Sequence, residues 1–77
     1  MTNTLKLKVL LLQQGIKQKD LAEYLGVSMQ AVNMKINNNR LFKLSEILKI
    51  CDLLKISEKE CFAIFFAKEV DLRLQHE

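Results

Sequence analysis

Four side chains between Ser28 and Ile36 have types and spacing suited to touching another molecule: Met29, Gln30, Asn33 and Met34. On a helix these positions share one outward face. A glutamine or asparagine amide both donates and accepts, which suits an adenine edge, and an apolar side chain can meet a thymine methyl. A face that served only to keep a helix in water would carry Glu and Lys instead. Lys17, Lys19, Lys35, Arg40 and Lys43 lie near the two ends of this stretch, where the phosphates of a groove would pass. The pattern points to a nucleic-acid duplex.

The charge distribution agrees. Residues 1–43 carry seven Lys/Arg against Asp20 and Glu23, a net of +5, whereas residues 44–77 carry five basic and seven acidic side chains, a net of −2. A basic half of this kind favours a polyanionic partner. Catalysis has no foothold. The one histidine, His76, is next to the last residue, the carboxylates are scattered, and no Gly-rich phosphate loop or base-activated nucleophile is present. No cofactor, metal or small-molecule substrate is implied. Cys51 and Cys61 stand in apolar surroundings with no His or third Cys at metal spacing, so they are expected as small buried hydrophobes with free thiols in a reducing compartment. Val9–Leu12 is too short a run to span a membrane and follows Lys6 and Lys8, and the N-terminal stretch lacks the apolar segment of a secretion signal.

The elements that must position these side chains are helical. With 77 residues, two glycines and no proline, the chain suits one small all-α domain and leaves a β-sandwich or barrel without its turns. Leu5, Val9 and Leu12 recur at helical spacing, widened by Leu7, Leu10 and Leu11, which predicts a first helix from about Thr4 to Gln14 with Gly15 as its stop. Leu21, Ala22 and Leu25 form the inner face of a short second helix ended by Gly26. Ser28 caps a third, residues 28–37, with Val27 and Val32 as its staple and Val32 and Ile36 facing inward. Asn37–Arg40 ends it. Leu44, Ile47, Leu48, Cys51 and Leu54 signal a fourth helix with a weak cap at Lys43. Ser57-Glu58-Lys59-Glu60 opens a fifth as a capping box, with Ile56 and Cys61 as staple and Phe62, Phe65 and Phe66 at core spacing. Residues 67–77 form a tail in which Val70, Leu72 and Leu74 alternate with Asp71 and Arg73, which is strand-like.

Residues 18–36, with Leu-Ala-x-x-Leu-Gly-Val-Ser at their centre and Val32 and Ile36 following, resemble the helix-turn-helix of phage repressor and Cro proteins. The likeness extends over residues 4–66 and is nearest to small single-domain regulators of Gram-positive phages and prophages. It implies the five-helix lambda-repressor-like fold, a domain over residues 1–66 with the tail as a possible helix extension or dimerisation segment, and a regulator of transcription that binds a double-stranded DNA operator. It also implies a bacterial cytoplasmic, nucleoid-associated location. Met29, Gln30, Asn33 and Met34 match its base-reading positions. Gln18, Lys35, Asn37, Asn38, Asn39 and Arg40 match backbone-contacting ones, and Lys17, Lys19, Ser28 and Lys43 complete the expected phosphate set. Two departures stand out. Lys17 replaces a capping Ser or Thr, so the start of helix two is expected to fray. Met29 and Met34 replace polar residues, which leaves hydrogen-bonded readout to Gln30 and Asn33. A weak homodimer through residues after about Ser57 is expected, or else a dimer that forms only on DNA. The alternative is an interaction module on the same scaffold that modulates another regulator.

Overall fold

The computed structural model describes residues 1–67. They form α1 (Thr4–Gln13), α2 (Gln18–Leu25), α3 (Met29–Ile36), α4 (Leu44–Leu54) and α5 (Glu58–Phe65), with no strand among the described residues. The alternating Val70, Leu72 and Leu74, and His76, lie outside them. α2 packs on α3, α5 packs on α4, and α1 closes against α5.

The helices stop by one device. At the ends of α1 to α4, Gly15, Gly26, Asn38 and Lys55 take left-handed backbone angles. The next residue's N–H then reaches back five residues: Ile16 to Leu11, Val27 to Ala22, Asn39 to Met34 and Ile56 to Cys51. This closure satisfies carbonyls the helix leaves orphaned. Gly26 needs it most, because α2 and α3 must turn sharply. Lys55 is the misfit, since a side chain is strained there by ~1 kcal/mol or more. Lys55→Gly is therefore expected to stabilise the fold by ~0.5–1 kcal/mol after the glycine's own entropy cost, read as a rise in thermal midpoint.

Leu7 and Leu11 of α1 reach the core with Leu21, Ala22, Leu25, Val32, Ile36, Ile47, Ile50, Leu54, Ile64 and Phe65. Two expected stripes are rotated. On α1, Leu5 and Leu12 are 74% and 80% exposed and Val9 is also exposed. α1 is apolar nearly all round, so periodicity alone could not choose its inner face. The Thr4 hydroxyl marks it by donating to the carbonyl of Ile36, and Thr4, Leu7 and Leu11 lie on one line of the helix. On α4, Leu44 and Leu48 are exposed while Ile50 is fully buried. Of the three phenylalanines after Cys61, Phe65 is buried, Phe66 is partly buried and Phe62 is exposed.

The cysteines also differ from expectation, because Cys51 and Cys61 are joined in a disulfide. Cys51 sits four residues before the left-handed Lys55, and Cys61 four residues after the cap Ser57. Inward positions equally far from a tight turn face one another across it, and here the Cα atoms are 5.9 Å apart, within bridging range.

Candidate nucleic-acid interface

α2 and α3 approach closely because Ala22, buried at their contact, carries only a methyl. The Ser28 hydroxyl accepts from the Ala31 N–H at 3.0 Å and caps α3. Val32 and Ile36, both fully buried, fix its rotation. That rotation leaves Met29, Gln30 and Asn33 exposed and Met34 half-buried. Asn33 Nδ2 donates a long hydrogen bond of 3.4 Å to Gln18 Oε1. The contact ties the outer face of α3 to the first residue of α2. It leaves Asn33 Oδ1 free to accept and Gln18 Nε2 free to donate.

The start of α2 has a cap despite lacking Ser or Thr. The Lys17 N–H donates to Asp20 Oδ2 at 3.0 Å, so Asp20 supplies the return half of a capping box. Lys17 and Lys19 flank Gln18 and are exposed. Arg40 and Lys43, on the segment that leaves α3, are exposed as well. None of these four forms a salt bridge among the described residues, although the Lys43 charge acts on nearby Glu46. Asn39 is exposed. Asn37 is exposed too, although its Nδ2 already donates to the Asn33 carbonyl at 2.9 Å. The Ser28 hydroxyl accepts its cap and keeps its own proton to donate.

Two members of the expected phosphate set are turned inward. Lys35 is 5% exposed, and its Nζ lies 2.7 Å from both carboxylate oxygens of Glu46, itself 6% exposed. An ammonium held in this way is not available to a backbone phosphate. Asn38 is spent on structure. Its Oδ1 accepts from the Thr2 N–H, and its Nδ2 donates to the Thr2 carbonyl, each at 2.9 Å, and also to the Thr4 hydroxyl. It clasps the N-terminal residues to the end of α3.

Glu46 stands outside the expected site residues. It also accepts from the Lys43 N–H at 2.8 Å, which caps α4. The capping signal was present, since Glu46 stands three residues after the helix-starting Lys43. The pairing with Lys35, eleven residues away, has no local signature. Burial pushes the Glu46 carboxyl up. The Lys35 and Lys43 hydrogen bonds and the positive charges of both lysines outweigh it, and the carboxyl is held below its usual range.

A family model described as the Cro/C1-type HTH DNA-binding domain matches residues 6–64. The chain belongs to this family, and its α2–turn–α3 unit is the helix-turn-helix. No curated protein and no solved structure matches the chain. Among the described residues no helix is long and apolar enough to cross a membrane, and no group of His, Cys, Asp and Glu is placed to hold a metal.

Proposed function

We propose that the chain is a sequence-specific, double-stranded-DNA-binding regulator of transcription of the phage or prophage Cro/repressor type, acting in the bacterial cytoplasm at the nucleoid. α3 enters the major groove with Gln30 and Asn33 on base edges and Met29 and Met34 against thymine methyls. Lys17, Gln18, Lys19, Ser28, Asn37, Asn39, Arg40 and Lys43 hold the backbone, while Lys35 and Asn38 serve the fold instead. The observation that carries this reading is the Asn33–Gln18 hydrogen bond. It couples a base-reading amide to a residue flanked by two exposed lysines, so reading and anchoring share one face.

Asn33→Ala or Gln30→Ala is expected to cost ~1–3 kcal/mol at a preferred site and to relax preference at one or two base pairs, with the fold intact. Anisotropy titrations against the preferred duplex and a scrambled one check this. Unchanged discrimination removes that residue from the readers. Arg40→Ala and Lys43→Ala are expected to weaken binding to all duplexes alike, each lowering the slope of log K against log salt by ~1. Lys35→Ala, measured where the protein remains folded, should leave that slope unchanged.

One copy of so short a helix reads few base pairs, and related geometries pair across half-sites ~34 Å apart. A second copy of this chain is the proposed occupant of the groove between α4 and α5. That groove, about 590 Å³, is floored by Ile47 and Ile56 and flanked by Leu44, Leu48, Phe62 and Phe66. Asp52, Lys55 and Glu58 also line it. Opposite charges beside one apolar patch suit a two-fold contact, in which an acidic residue of one copy meets a lysine of the other and the reverse pair forms by symmetry. Leu48→Glu together with Phe62→Glu should abolish the dimer in sedimentation, whereas an unchanged dimer puts the interface elsewhere.

A further inference from the structure

Thiols in the compartment where such a regulator works are kept reduced, and disulfides that form there are usually transient or redox-sensing. Cys51 and Cys61 are nevertheless placed to bond, and both line the open groove between α4 and α5. Both residues are largely buried, yet in a single copy of the chain they line a groove open to solvent, so exchange is expected in the undimerised protein. We propose that Cys51 and Cys61 form a reversible thiol–disulfide site, opened and closed by exchange with small-molecule thiols and disulfides of the glutathione class, that sets how firmly α5 is held.

The exchange balances without a metal or flavin. The thiolate of one cysteine attacks a sulfur of oxidised glutathione, forms a mixed disulfide and expels one glutathione thiolate. The second cysteine thiolate attacks the protein sulfur of that mixed disulfide, closes the Cys51–Cys61 bond and expels the other glutathione thiolate. Two protein thiols are oxidised, one glutathione disulfide is reduced to two thiols, and the protons of the protein thiols pass to the released thiolates. Reduced glutathione runs the sequence backwards.

The position of the bond gives it leverage. α5 is only eight residues long. Besides the disulfide, it is held by Ile64 and Phe65 in the core, by the Asn3 N–H donating to the Ile64 carbonyl at 2.6 Å, and by an edge-to-face contact of Phe65 with Phe42 at 5.4 Å. Phe42 lies between Arg40 and Lys43. The same bond therefore braces the wall of the groove and the segment that carries two exposed cations.

The inference rests on the proposed cytoplasmic regulator for its biological setting, but the chemistry is tested without DNA. The full chain is equilibrated in buffers of graded reduced and oxidised glutathione, alkylated, unfolded and weighed, and its thermal midpoint is recorded in each. The expected result is a reversible passage from two alkylatable thiols to none. The oxidised form should melt roughly 10–20 °C above the reduced one, as closing a short loop in a small domain implies. The Cys51→Ala/Cys61→Ala double variant serves as control and should melt at one temperature in every buffer. Two thiols persisting throughout, arrest as a glutathione adduct, a bond that excess reduced glutathione cannot open, or equal midpoints would each overturn the proposal. A protein that switches as expected but retains no duplex DNA would sink the DNA-binding reading and leave the thiol site standing.

Discussion

Replacing Lys35 with alanine is expected to cost ~3–5 kcal/mol of folding stability, because it leaves the largely buried Glu46 carboxylate without its ammonium partner. A domain of this size holds on the order of 5–10 kcal/mol in all, so the variant should unfold at much lower urea. The reason is geometric. Both Glu46 oxygens lie 2.7 Å from Lys35 Nζ, and both side chains are almost wholly buried. Lys35→Met combined with Glu46→Gln should recover much of the loss, since the amide oxygen of the new side chain can still cap α4 at the Lys43 N–H. A Lys35→Ala protein as stable as the parent would mean that the pair does not form.

The same pair gives the protein an acid limit. The Glu46 carboxyl titrates lower in the folded chain than its ordinary value of 4.5. Below that ordinary value the unfolded chain binds the proton first, so stability falls as pH falls. The contribution is fully present above about pH 4.5 and is lost as the pH drops through the lowered folded value. In Glu46→Gln this part of the pH profile should flatten.

Ile36→Ala should cost ~2–5 kcal/mol, and Val32→Ala ~0.5–1.5 kcal/mol, in chemical denaturation. Both side chains are fully buried, but Ile36 is larger and lies at the junction of three elements. Its carbonyl receives the Thr4 hydroxyl, and the neighbouring Asn38 clasps Thr2. Truncation there opens a cavity beneath the end of α3 and loosens its tie to α1. DNA binding should decline only as the folded fraction declines. A fully stable Ile36→Ala protein would place the inward face of α3 elsewhere and undo the assignment of its outward face.

The helix order was legible because most of the helices carry their own punctuation. Ser28 and Ser57 cap, Gly15 and Gly26 stop, and Asn38 takes the left-handed turn that asparagine tolerates. The rotation of α1 was not legible, since Leu5–Leu12 offers two apolar stripes and the choice between them rests on long-range ties such as the Thr4–Ile36 and Gln14–Leu54 bonds. Leu44 and Leu48 fit a core stripe as well as Ile50 does, yet they flank the open groove. Within the site, the exposed face of α3 followed from Val32 and Ile36 four residues apart. The inward turn of Lys35 did not, because a buried ion pair between α3 and α4 leaves no local pattern. The disulfide was not legible for a related reason: apolar surroundings suit free buried thiols equally well, and the pairing depends on equal distance from a turn.

The central claim is that the outward face of α3 reads base pairs, and selection from a random duplex library tests it most directly when run in parallel with the native chain and with Asn33→Ala. The native chain should enrich a pseudo-palindromic site whose half-sites lie about one helical turn apart. The variant should enrich the same spacing with preference lost at one or two pairs in each half. No enrichment by a folded native chain, or an identical site selected by both proteins, would contradict it.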